Sequence, residues 1–147
     1  MAFLISFTFL LIFISFVFKN LKLVFSCLFS LLVATIMTLG SMIFLNLNFN
    51  FANMISLPLL YSLGISYPIY FLKRFQEKKD VKKVISSQTP KAIYYSAFTT
   101  IASFGTLGIS NHNGTSSMGI LLFLSLFMTL ISALLFLPLT IDSKKTR

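Results

Sequence analysis

The sequence predicts an all-α, polytopic membrane protein: a bundle of five transmembrane helices, N-terminus outside and C-terminus in the cytoplasm, with a short basic cytoplasmic amphipathic segment. Three observations carry this reading. The composition is 56% hydrophobic and 10% charged, with 18 Phe, and the mean hydropathy is +0.91; a soluble chain with this surface would aggregate. Five apolar runs divide the chain, each close to the length that crosses roughly 30 Å of hydrocarbon at about 1.5 Å per residue. The basic residues fall only in alternate connections, which fixes an orientation.

Residues 1–147 read as one membrane domain. The first span, 2–18, has no basic stretch before it and no small-residue cleavage site after it. Lys19 and Lys22 follow directly, so it reads as a helix with its N-terminus outside rather than as a signal peptide. In the second span, 21–45, Ala34, Thr35, Thr38 and Ser41 recur at spacings of three or four. They share a face suited to close helix contact in lipid. Asn46, Asn48 and Asn50 make an uncharged turn. The third span, 51–72, contains no ionisable side chain. Its Ser56, Pro58, Ser62, Gly64, Ser66 and Pro68 would interrupt a soluble helix but are tolerated where neighbouring helices satisfy the freed backbone groups, so this helix is expected inside a bundle.

Lys73 and Arg74 close the third span and open a basic loop, 73–91, with Lys78, Lys79, Lys82, Lys83 and Lys91. Phe71, Phe75, Val81, Val84 and Ile85 recur there at loosely helical spacing. Two readings fit. One is an amphipathic helix on the cytoplasmic membrane surface, with Lys73, Arg74, Lys78, Lys79, Lys82 and Lys83 contacting anionic headgroups; the other is a solvated loop that sets topology. Thr89 as N-cap and Pro90 at the first helical position introduce the fourth span, 92–110. Its Ala92, Ser96, Thr99, Ser103, Thr106 and Ser110 fall at alternating steps of four and three, a single small, hydroxyl-bearing stripe. The stripe reads first as a close-packing face and second as the lining of a polar path, since hydroxyls in a dry bilayer need partners. Asn111 to Ser116 reads as a tight turn with His112 as a loop residue. The fifth span, 117–139, ends at Pro138 and a tail bearing Lys144, Lys145 and Arg147.

The net charge of +9 comes from 12 basic residues against Glu77, Asp80 and Asp142. Its partition between alternate connections accounts for it without nucleic acid. A single cysteine, Cys27, permits neither an internal disulfide nor a paired metal site. One histidine, one cysteine and three acids, the acids all outside the spans, form no catalytic constellation, and no cofactor is expected.

Several short motifs, in order, resemble the resistance–nodulation–division (RND) superfamily of exporters, in its mycobacterial-membrane-protein-like (MMPL) branch, and within it the hopanoid-biosynthesis-associated transporters. Phe49-Asn50-Phe51-Ala52-Asn53, Leu57-Pro58-Leu59-Leu60 and Gly64 are similar to the start of that family's tenth helix. Thr89-Pro90-Lys91-Ala92 and Ser96-Ala97-Phe98-Thr99-Thr100 are similar to its eleventh. Phe104-Gly105-Thr106-Leu107, Ser110 with His112 and Gly114, Ser117-Met118-Gly119 and Leu137-Pro138 continue the resemblance, which runs from about Leu39 to Thr140. It implies a fragment: helices eight to twelve of a twelve-span protein whose halves each carry a large extracytoplasmic domain. The family couples export to proton entry through carboxylates in its fourth and sometimes tenth helices. Around Gly64-Ile65-Ser66-Tyr67 this sequence has no acid, and no span has an internal Asp, Glu, His, Lys or Arg. The chain alone is therefore not expected to pump protons.

Ser66, Thr99, Thr100 and Ser103 could supply hydroxyls to a carboxylate donated by another chain. The function expected is the C-terminal membrane half-bundle of a split or truncated exporter of lipids or other hydrophobic compounds in a bacterial inner membrane, multi-pass. The partners expected are membrane lipids and a separately encoded N-terminal half; homo-oligomerisation is compatible with the pattern. The alternatives are a non-transporting gene remnant and a small membrane scaffold acting through its basic loop.

Overall fold

The computed structural model describes residues 2–48 and 50–142. Phe49 and the tail residues Lys144, Lys145 and Arg147 lie outside the described residues, as do the side chains of Ala52 and Asn53. Every regular element among the described residues is helical: α1 (Ala2–Val17), α2 (Leu21–Phe44), α3 (Phe51–Met54), α4 (Ser56–Gly64), α5 (Ser66–Lys78), α6 (Val81–Ile85), α7 (Thr89–Leu107), α8 (Asn113–Ile131), a π-helical turn (Ser132–Phe136) and α9 (Leu137–Asp142).

The apolar runs become five helical columns. α1, α2 and α7 are unbroken. The third column is α3, α4 and α5 in succession, with breaks at Ile55 and Ile65. Each break stands three residues before a proline. Pro58 and Pro68 have no N–H for the carbonyls of Met54 and Gly64, so the ladder loses a rung at each place. The fifth column is α8, the π turn and α9. That wide turn ends two residues before Pro138, which leaves the ladder one donor short.

α8 sits at the centre, packing on α7, α2, α3 and α4. Each neighbour turns one stripe inward. On α1 it is Leu10 and Ile14, continued by Phe18 just past its end, and on α7 it is Ile93, Ala97 and Ile101, both at helical spacing. Ala34 and Thr38 of α2 are fully buried, as close contact through that face requires. The Thr35 hydroxyl donates to the Leu31 carbonyl (2.8 Å) and lies 3.0 Å from the Tyr61 hydroxyl, tying α2 to α4.

Ser132, the first residue of the π turn, donates to the Ser30 carbonyl at 2.6 Å, and the two hydroxyls are 3.0 Å apart. With the Ser132 hydrogen so used, Ser30 donates to Ser132. Ser132→Ala is expected to lower stability in detergent by about 1 kcal/mol, with a double-mutant cycle against Ser30→Ala showing coupling of similar size.

The connections differ from the sequence expectations in four ways. The basic loop begins only after Lys78, because α5 carries the third column through Lys73, Arg74 and Lys78; charge ends a membrane span, not a helix. What stops α5 is Lys79, in the left-handed region at φ 53°. The amphipathic helix is limited to α6, capped by the Asp80 side chain accepting from Lys82 N (3.0 Å). Its apolar residues Val81 and Val84 are buried against the chain's own helices rather than turned toward lipid. α7 starts at Thr89 with Gln88 as its cap residue, so Thr89 is not the N-cap; Ser87 Oγ accepts from Thr89 N (3.3 Å). Asn113 to Ser116 belong to α8 and not to a turn, the chain reversing between Gly108 and His112.

Two helices, Leu21–Phe44 and the continuous column Asn113–Ile141, are long and apolar enough on their own to cross a membrane, and Thr8–Val17 is a shorter apolar helix. The third column misses that length through its proline breaks. α7 is less apolar because hydroxyls occupy a whole stripe.

Candidate functional site

The hydroxyl stripe of α7 lies on the face opposite Ile93, Ala97 and Ile101. Ala92, Ser96, Thr99, Ser103 and Thr106 are all exposed, so the stripe does not serve as a packing face against any helix of this chain. The inward stripe and the hydroxyl stripe have the same period; the apolar one took the core.

The hydroxyls have settled onto their own helix. Thr99 donates to the Ser96 carbonyl (2.9 Å) and Thr100 to the same oxygen (2.9 Å). Ser103 donates to the Thr99 carbonyl (2.8 Å) and Thr106 to the Ser103 carbonyl (2.7 Å). Such back-bonding leaves the oxygen able to accept from, and the hydrogen able to switch to, an outside partner. Aromatic rings flank the face: Tyr94 stacks on Phe98 at 6.3 Å and meets Tyr95 edge-on at 5.8 Å. Thr100 is half-buried, on the side toward α5.

Ser66 is the first residue of α5, on the column beside α7. It donates to the Leu63 carbonyl at 2.7 Å, bridging the break at Ile65. The next residue, Tyr67, carries no weight in the sequence reading, yet it is 3% exposed, and its shielded hydroxyl stands beside Thr100. The signal available was its place directly after a helix break in an otherwise apolar run.

The six basic residues collect at one end of the bundle, on α5, α6 and the turn between them. Lys73, Lys78, Lys79, Lys82 and Lys83 are exposed. Arg74 pairs with Glu77 at 2.6 Å, the one ion pair among the described residues, while its Nε is shielded and unpaired. Buried Val81 and Val84 pin the array to the bundle, so these lysines are held in place rather than carried on a loose loop. No cluster of three metal-ligating side chains occurs among the described residues. His112 is exposed at the start of α8.

No protein-family model matches the chain, and no solved structure matches it. Among curated proteins it is 43% identical over 108 residues to the hopanoid transporter HpnN of Rhodopseudomonas palustris, covering 74% of this chain and 12% of that protein. It is 38% identical over 117 residues to the hopanoid transporter HpnN of Burkholderia multivorans, covering 80% of this chain and 13% of that protein. The chain is a partial homologue of these RND-family transporters. It spans about an eighth of the length of the relatives it matches. The RND resemblance carried by the short motifs is thus matched by identity over most of the chain, and both relatives are named as transporters rather than enzymes.

Proposed function

We propose that the chain is the C-terminal membrane half-bundle of an RND-type, MMPL-like exporter of lipids or other hydrophobic compounds. All five columns cross a bacterial inner membrane, with the basic end of α5 and α6 in the cytoplasm and the N-terminus outside. The partition of basic residues supports this orientation. So does the bundle's outer surface: Phe16, Phe44 and Phe51 are each more than 80% exposed, a surface suited to lipid and not to water.

The observation that carries the reading is the uncovered hydroxyl stripe of α7. A bilayer-facing helix gains nothing from a row of Ser and Thr, whereas a helix meeting another helix gains close approach and interhelical hydrogen bonds. The surface that would cover it is the remainder of an exporter of which this chain matches about an eighth. In that arrangement Thr99 and Ser103, with Ser66 and Thr100 behind them, offer hydroxyls to a proton-carrying carboxylate contributed by the N-terminal half. Lys73, Arg74, Lys78, Lys79, Lys82 and Lys83 meet anionic headgroups at the cytoplasmic surface.

The test is capture of the tagged, natively expressed chain in mild detergent, with mass spectrometry of what accompanies it. The expected companion is a large membrane protein with extracytoplasmic domains and an intramembrane Asp. Recovery of a correctly inserted chain with no such companion would identify a remnant instead.

A further inference from the structure

The third and fifth columns run side by side in the same direction, and both are interrupted at the same depth. Asn50 Nδ2 donates to the Ser117 hydroxyl (2.7 Å) and the Ser56 hydroxyl to the Met118 carbonyl (3.4 Å), which fixes their alignment. Further along, Gly64 lies so close to Thr129 that an added Cβ would sit 2.9 Å from its Cγ2. The break at Ile65 therefore faces the last turn of α8, and α5 packs against the π turn. Pro68 removes the donor for the Gly64 carbonyl, and the backbone bonds around that break are long, 3.3 Å from Ile65 N to the Tyr61 carbonyl and 3.2 Å from Ile69 N to the Ile65 carbonyl. In the π turn, Leu137 N donates to the Ser132 carbonyl, five residues back, just ahead of Pro138. Two interrupted ladders thus lie next to each other, at a level where both columns bend with little backbone resistance.

The two sides of this level are held differently. Toward the Asn-rich turn, hydrogen bonds join the helices: Asn50 to Ser117, Ser56 to Met118, Thr35 with Tyr61, and Ser116 to the Gly108 carbonyl. Ser30 with Ser132, and Tyr67 beside Thr100, stand at the interruptions themselves. Past Tyr67, among the described residues, no hydrogen bond or ion pair joins α5, α6 or α9 to another helix; Arg74 pairs within α5, and the Thr140 hydroxyl donates to the Leu137 carbonyl of its own helix. This side is held by apolar contact among Phe71, Leu72, Val81, Val84, Leu137 and Ile141. Such contact is non-directional and survives a small slide. α6 packs on both α5 and α9, so it ties the ends of the two broken columns together. Pro58 provides the contrast. Its break at Ile55 lies between the bonds of Asn50 and Tyr61 to neighbouring helices, with Ser56 bonded across to α8, and is pinned.

We propose that the Ile65 break and the π turn act as one hinge, about which α5, α6 and α9 move as a unit against α2 and α7. The moving unit carries Lys73, Arg74, Lys78, Lys79, Lys82 and Lys83. The basic array therefore shifts relative to the hydroxyl stripe of α7, while the rest of the bundle keeps its hydrogen bonds. Sliding of packed helices, with the bend absorbed by a few element-terminal residues, is the usual form of such a motion. It goes beyond the transport reading and does not depend on a partner, because both interruptions and the α6 tie belong to this chain.

The test is a set of spin-label distance distributions on the full chain in nanodiscs, with buried Cys27 replaced by Ala and labels at exposed positions only. Lys82→Cys on α6 with Ile36→Cys on α2 reads across the hinge. Lys82→Cys with Leu139→Cys on α9 reads within the moving unit, and Ile36→Cys with Ile109→Cys reads within the fixed side. Hinge motions interconvert in microseconds to milliseconds, and freezing keeps their populations as width. The distribution across the hinge is expected to be roughly twofold broader than either of the others. Pro68→Ala with Pro138→Ala returns a donor to each ladder and should narrow it to the width of the other two, whereas Pro58→Ala should leave it broad. A distribution across the hinge as narrow as the fixed-side one, or a pair within the unit as broad as the pair across it, would overturn the hinge; the second result would mean that α6 frays by itself. A width unchanged by the two restored donors would overturn it as well. The three pairs are compared with the native prolines in place, so they decide the matter even where the double proline variant does not fold. Since the chain is measured by itself, recovery or absence of a partner protein leaves the result unaffected.

Discussion

Gly119→Ala is expected to break the α7–α8 contact and to cost about 3 kcal/mol or more of stability in detergent, while Gly40→Ala is expected to stabilise by about 0.5–1 kcal/mol. The two glycines lie on neighbouring helices and differ only in what a methyl group meets. At Gly119 an added Cβ would sit 2.5 Å from Gly108 N, 2.6 Å from Leu107 C and 2.7 Å from Leu107 Cβ. The first two are backbone atoms and cannot rotate away. Nor can the helices separate freely there, since Ser116 Oγ donates to the Gly108 carbonyl at 2.7 Å one turn earlier on α8. Because α8 is the central column, a displaced α7 edge propagates to α2 and α4. At Gly40 nothing lies within 4 Å, so the change only raises helix propensity and reduces the freedom of the unfolded chain. Gly105→Ala should fall between them, because its neighbour is the Phe123 ring at 3.1 Å, which can tilt. Thermal or SDS-driven unfolding of purified variants measures all three. Similar values for Gly119→Ala and Gly40→Ala would mean that α7 and α8 are not in backbone contact.

The columns were legible in the sequence because lipid-length apolar runs and helix length are set by the same rise per residue. The limits 2–18 and 21–45 differ by one residue from α1 and α2. The third column was legible as a single run, and its proline positions name the two breaks once the missing N–H groups are counted. Its basic end was not. Lys73 and Arg74 end the apolar run, but the helix obeys hydrogen bonding and continues until Lys79 leaves the helical region. The same reasoning explains α8, where Asn, Gly, Thr and Ser look like turn residues yet occupy a first helical turn, where capping chemistry is at home.

Facing was less legible than periodicity. α7 carries two stripes of equal period, Ile93-Ala97-Ile101 and Ser96-Thr99-Ser103-Thr106, and no property of a single helix says which one its own neighbours will cover. Likewise Val81 and Val84 are spaced as they would be on a membrane-surface helix; they point inward because α5, α7 and α9 leave a place for them. The site residues are therefore located on the fold, while their work depends on what covers the α7 face.

Thr99→Leu with Ser103→Leu is expected to reduce recovery of the partner membrane protein at least roughly tenfold while leaving the chain's own stability within about 0.5 kcal/mol. The second half of that statement follows from exposure. Both side chains project away from the bundle and bond only to their own helix, so their removal leaves no buried group unpaired. The first half follows from shape. Small residues three and four apart let two backbones approach, and two leucines on that face hold a partner helix off while deleting the two hydroxyls at the middle of the stripe. The double variant separates two surroundings that the isolated chain cannot. If lipid covers the stripe, replacing hydroxyls by leucine makes the face a better lipid surface, and insertion, stability and any association are unchanged or improved. If protein covers it, association falls and stability does not. The paired control is Ile36→Leu at an exposed position of α2, which keeps an apolar outer face apolar and should change neither quantity.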